Sequence, residues 1–101
     1  MFIQVGWGEP NPGREEDAHA GMMEFARSLV GKPGLVEIFS IRDPESGKRT
    51  GVSVWTDEAS FRAAMASATR ARKRDPTVYA VAPTARVGVV EWSWRAGEPT
   101  G

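Results

Sequence analysis

The sequence predicts an α+β domain, a four-stranded antiparallel sheet with two helices on one face. Three observations carry that expectation. Short stretches of alternating or β-branched apolar residues are interleaved with two longer stretches whose apolar residues recur every three or four positions. The stretches follow one another in the order β-α-β-β-α-β. Finally, Val52-Ser-Val-Trp55 passes almost without a loop into Thr56-Asp-Glu-Ala-Ser-Phe61, so a strand ends in a large aromatic at the mouth of a helix.

The chain opens as a strand, Phe2-Ile-Gln-Val-Gly-Trp7, and Gly8–Gly13 is a loop by its Gly, Pro and Asn content. From Arg14 to about Val30, Ala18, Met22, Phe25 and Leu29 form one apolar stripe, while Glu15, Glu16 and Asp17 complement the positive end of the helix dipole. Gly31-Lys-Pro-Gly34 stops that helix. Leu35–Ile41 is a strand rich in β-branched and aromatic residues. Asp43-Pro-Glu-Ser-Gly47 is a turn, so this strand and the one ending at Trp55 make an antiparallel hairpin. Thr56 or Asp57 caps a second helix running to about Arg74, with Phe61, Ala64, Met65 and Ala68 inward and a basic C-terminal end.

Asp75-Pro76 is read as a cap followed by a short helical turn over Thr77 to Ala82, although Val78, Tyr79 and Val81 also suit a strand. Arg86 to Arg95 is the last strand, with Val90, Trp92 and Trp94 on one face and Val87 and Val89 on the other. Residues 1–95 are expected to form a single domain, and 96–101 a frayed tail. This order is the ferredoxin-like split βαβ arrangement. Val52 and Val54 on one face of a strand, with Trp55 on the other, mean that both faces seek burial. One layer of helices covers only one of them, so pairing sheet to sheet with a second copy is expected.

At 101 residues the chain is long enough for one modest core. Thirteen basic and thirteen acidic residues cancel, which argues against a nucleic-acid surface. There is no cysteine, which removes disulfides, thiolate chemistry and cysteine-ligated metals. No apolar run approaches the ~20 residues of a membrane span, and a start without a signal-like segment leads to the expectation of a cytoplasmic protein. There is no glycine-rich phosphate loop and no nucleophile elbow. With a single histidine the chain has no metal ligand set, so neither metal nor cofactor is expected.

Lys32-Pro-Gly-Leu35 and Val52-Ser-Val-Trp-Thr-Asp-Glu-Ala-Ser-Phe61 resemble the corresponding segments of the dimeric α/β-barrel superfamily, in its antibiotic biosynthesis monooxygenase branch. The order of elements extends the resemblance over roughly residues 2 to 95. It implies a homodimer whose two sheets face each other as a barrel, and a pocket in each subunit between helices and sheet. Some such proteins oxygenate aromatic polyketides with molecular oxygen and neither metal nor flavin; others degrade haem.

Trp55 matches the strand-end Trp that both groups use. Phe61 stands where a polyketide oxygenase carries a Tyr, and Gly51 where it carries an Asn. Met65 stands where haem-degrading members carry a His on the second helix, and their Asn near the end of the first strand has no counterpart.

Trp55 is a pocket wall or a core plug. His19, the only histidine, lies about a quarter-turn from the stripe of the first helix; it is either a proton-shuttling base at the pocket rim or a surface residue beside Glu15, Glu16 and Asp17. Met22, Phe25, Phe61, Met65 and Trp7 are the expected apolar lining. Arg62, Arg86 and Tyr79 are capable of binding oxygenated groups, but a solvated charge explains each arginine as well. The expected function is a cofactor-independent monooxygenase-like enzyme acting on an aromatic, polyketide-like small molecule in secondary metabolism. The alternative is a non-catalytic dimeric barrel that binds a hydrophobic small molecule or a protein partner.

Overall fold

The computed structural model describes residues 1–71 and 77–99. Its elements are β1 (Phe2–Trp7), α1 (Glu15–Leu29), β2 (Leu35–Arg42), β3 (Arg49–Trp55), α2 (Glu58–Ala71) and β4 (Thr84–Val89). The strands form one antiparallel sheet in the order β2-β3-β1-β4, the ferredoxin-like arrangement.

Each boundary has a local cause. Asp57 Oδ1 accepts the Ser60 amide at 2.7 Å and so caps α2. Past α1, Gly31 and Gly34 both take positive φ, at 83° and 84°. The second is also a close approach: a Cβ on Gly34 would lie 2.4 Å from the Ser60 side chain. In the β2–β3 turn Asp43 Oδ1 accepts the amides of Glu45 and Ser46 at 2.8 and 3.2 Å. Both carboxylates are held below the ordinary aspartate range, first of all by these backbone donors.

Residues directly opposite in an antiparallel pair share a face. The pairing Phe2↔Trp55, Gln4↔Ser53 and Gly6↔Gly51 therefore defines the helix-side face of the two central strands. A bulge between Leu35 and Glu37 adds one residue, Val36, so that Leu35 and Ile38 both turn toward the helices. The core on this side is Phe2, Leu29, Trp55, Phe61, Ala64 and Ala68, with Phe25, Leu35, Ile38 and Met65 packed against it.

Two expectations near the C-terminus are corrected. Residues 77–82 form neither a helical turn nor a strand: Thr77 and Val78 make a simple turn. This segment is tied instead to the β1–α1 loop, where Asn11 N donates to the Val78 carbonyl at 2.7 Å and Arg14 to the Thr77 hydroxyl at 2.7 Å. The expected cap at Asp75-Pro76 lies outside the described residues. The last strand is Thr84–Val89 rather than 86–95. Its last backbone bond to β1 runs from Val90 N to the Met1 carbonyl at 2.9 Å. Trp92 and Trp94 lie beyond the strand, and Trp92 is 83% exposed.

Candidate functional site

Trp55 ends β3 against the N-terminus of α2 and is completely buried. Its ring meets Phe61 edge-on at 5.9 Å, and Phe61 in turn packs on Phe2 at 5.1 Å. The indole Nε1–H donates to Ser53 Oγ at 2.9 Å, and Ser53 Oγ donates onward to Gln4 Oε1 at 3.2 Å. Trp55 and Ser53 are two residues apart on one face, and Gln4 is the cross-strand neighbour of Ser53, so the strand register alone brings the three together. The chain of bonds fixes the Gln4 amide at the edge of the core.

The neighbouring rung across the helix-side face consists of small residues, Ser40, Gly51, Gly6 and Ala85. A Cβ on Gly51 would touch the Met22 sulfur at 3.6 Å, so α1 lies over β3 here. A Cβ on Gly6 would meet only the Thr84 carbonyl, at 3.7 Å. The floor therefore opens toward β4, where Val87 and Val89, opposite Gln4 and Phe2, remain 44% and 67% exposed on the helix side.

His19 lies three residues before Met22, on the same side of α1. It is half-buried, and its Nδ1 is the one side-chain nitrogen or oxygen among the described residues that is buried with no hydrogen-bond partner. A buried ring nitrogen loses its hydration, and a hydrogen bond from water or a ligand would restore it.

The expected site residues thus separate. His19 and Met22 share one side of α1, and Met22 is the one of the two that the structure places against the floor, beside Gly51. Trp55 and Phe61 are core rather than exposed pocket walls, with the Arg62 guanidinium 5.5 Å from the Phe61 ring. Phe25 and Met65 are half-buried and packed against that core. Trp7 falls on the other face: Phe2, Gln4 and Gly6 point toward the helices, so Ile3, Val5 and Trp7 alternate away from them. The surface concavities at the hairpin, around Pro44 and Lys48, and between α2 and Pro33 include neither Trp55 nor His19. Sequence reasoning missed Gln4, Ser53 and Val87; the hydrogen-bonding side chains paired across β1 and β3 were the available signal.

No family model matches the sequence, and no curated protein is significantly similar to it. Solved structures are similar in fold. The chain superposes on Rv0793 from Mycobacterium tuberculosis with a TM-score of 0.79 and 8% identity, covering 91% of this chain and 96% of that one. The heme-degrader MhuD from the same organism, solved with two hemes in its active site, gives 0.67 at 14% identity, covering 94% and 100%. SnoaB, a cofactor-independent oxygenase from Streptomyces nogalater, gives 0.59 at 21% identity, covering 96% and 95%. The fold is shared with these solved structures. At these identities the likeness establishes the architecture, and function has to be argued from the residues.

Those residues do not fit a haem ligated from α2, because Met65 at that position is packed against the core. Among the described residues no three His, Asp or Glu side chains gather where they would hold a metal ion.

Proposed function

We propose that the chain is a cofactor-independent monooxygenase-like enzyme acting on a flat aromatic, polyketide-like small molecule, and that it works as a homodimer. The observation that carries this reading is the buried Nδ1 of His19, which has no hydrogen-bond partner, one turn from Met22, whose sulfur faces Gly51 in a rung of small residues. Such a floor accepts a planar ring system, and Val87, Val89 and Met22 give it apolar walls. An electron-rich phenolate reacts with oxygen itself, so the protein need only bind, orient and deprotonate the substrate. His19 is the base available for that proton, with the Gln4 amide positioned by Ser53 to orient an oxygenated substituent.

The sealed environment of Trp55 changes the role expected of it. Its N–H is taken by Ser53, so it acts on a ligand through Gln4 and not by stacking. The same observation favours the second reading, a barrel that binds an aromatic molecule without turning it over. Titrating anthrones and aromatic polyketides against intrinsic tryptophan fluorescence tests the site common to both. Saturable quenching with micromolar affinity is expected in the wild type, and a Gly6→Leu variant, which fills the floor, is expected to lose it while staying folded. Unchanged binding by that variant would place the ligand elsewhere.

A further inference from the structure

The helix-side face of the sheet ends, past its rung of small residues, in two arginines. Arg42 and Arg49 are the last pair of the β2–β3 hairpin and stand directly opposite each other. By strand alternation Arg42 follows Ile38 and Ser40, and Arg49 follows Trp55, Ser53 and Gly51, so both project on the helix side. Their rung lies roughly 7 Å along the strands from Ser40 and Gly51. Continuing β1 past Trp7 sets Gly8 opposite Arg49, and here the face is closed by an aromatic ring. A Cβ on Gly8 would lie 2.7 Å from Tyr79 Cε1 and 3.3 Å from Pro83. The floor of small residues is therefore bounded at this end by two guanidinium groups on β2 and β3 and by the Tyr79 ring on β1.

Like charges directly opposite on neighbouring strands repel. Arg42 is exposed and Arg49 half-buried, and neither has an ion pair or hydrogen bond among the described residues. Acids at this end of the sheet are engaged elsewhere. Glu9 Oε1 holds Lys48 Nζ at 3.2 Å, and Asp17 Oδ2 accepts from Arg14 Nε at 2.7 Å. Asp43 Oδ1 accepts the turn amides of Glu45 and Ser46. An anion between the two guanidinium groups would replace their repulsion with charge-assisted hydrogen bonds.

The first helix leads toward the same end. Met22 lies over Gly51, and Leu29 sits in the core with Phe2 and Trp55, so α1 runs in the direction of β3. His19, one turn before Met22, is displaced from it toward the arginine rung by about 4.5 Å along the helix axis.

We propose that the ligand of this floor is an aromatic carboxylic acid, its ring system lying on Gly6 and Gly51 and its carboxylate held between Arg42 and Arg49. The inference rests on the small-molecule site described above and names the class of compound that fits it. The planar fork of each guanidinium matches a carboxylate, and a carboxyl group on an outer ring spans the step from one rung to the next. The chain has no net charge, so the arginine pair is a local feature that selects one substituent and not part of a broadly basic surface.

The test compares an anthraquinone carboxylic acid with its methyl ester, both titrated against intrinsic tryptophan fluorescence. Wild type is expected to bind the acid roughly tenfold more tightly than the ester. The double variant Arg42→Gln/Arg49→Gln should bind both with the affinity of the ester, and its thermal midpoint should be no lower than that of wild type, because the substitution relieves a like-charge contact. Gly6→Leu should lose acid and ester alike. Equal affinity for acid and ester in wild type, or a preference for the acid that survives in the double variant, would overturn the carboxylate site and leave the floor standing. A wild type that binds neither compound would remove the floor as a ligand site and this inference with it.

Discussion

Trp55 has no solvent-exposed surface, and its single donor is satisfied by a residue two positions away on the same strand. Ser53→Ala should therefore leave a buried N–H unpaired and destabilise the fold by about 1–3 kcal/mol in urea unfolding. In the background of Trp55→Phe, which removes the donor, the same substitution should cost clearly less; equal costs in both backgrounds would mean that the bond contributes nothing. Gly34 is the second residue on which the fold depends locally. Gly34→Ala meets both an unfavourable positive φ and the Ser60 side chain, whereas Gly31→Ala meets positive φ with open space around it. The first should lower the unfolding midpoint well beyond the about 1–2 kcal/mol that a left-handed alanine costs by itself. The alternation of β3 in the sequence already set Ser53 and Trp55 on one face, but not that the hydroxyl would take the indole N–H. That required Gln4 from a strand 49 positions away in sequence. Trp7 was misplaced for a simpler reason: counting from Phe2 puts it on the opposite face, and the expectation followed residue type instead of parity.

The helices were legible because their stripes are regular. Ala18 and Leu29 are buried and Phe25 packs against the core, as are Phe61, Ala64 and Ala68 on α2 with Met65 beside them. The caps and turns were legible because Asp, Pro and Gly each carry a local mechanism. The last strand was not, since 87–94 has the composition of a strand throughout, and nothing in that composition marks Val89 as the last residue paired with β1. The two aspartates at element ends give a prediction in pH. Both carboxyls are held below their ordinary value near 3.8, so their contribution to stability is present above that pH and is lost as pH falls through the lower folded-state values. The thermal midpoint should fall on acidification below about pH 4, and a variant carrying Asp43→Asn and Asp57→Asn should show a shallower acid limb. An unchanged limb would assign acid unfolding to other groups.

At the scale of the molecule, element order was enough to reach the fold, because short antiparallel connections and two crossover helices leave few topologies to choose among. The site was less legible. The candidate site draws on residues that look unremarkable in sequence: two glycines, a serine and a glutamine that acquire meaning only when the register aligns them, and a lone histidine on α1. The proposed homodimer gives the assembly prediction: light scattering should find a dimer at micromolar concentration, and Phe39→Lys, which puts a charge on the exposed apolar edge of the sheet face turned away from the helices, should drive it toward monomer. In the proposed reaction His19 serves as the base of a metal-free reaction with oxygen. Its most direct test is oxygen uptake with an anthrone substrate in the presence of a chelator, comparing wild type with His19→Ala. Uptake that survives chelation in the wild type, and that loses its rate in the variant while the substrate still binds, is the result expected. Uptake that is absent in the wild type, or that proceeds equally in the variant, would contradict it.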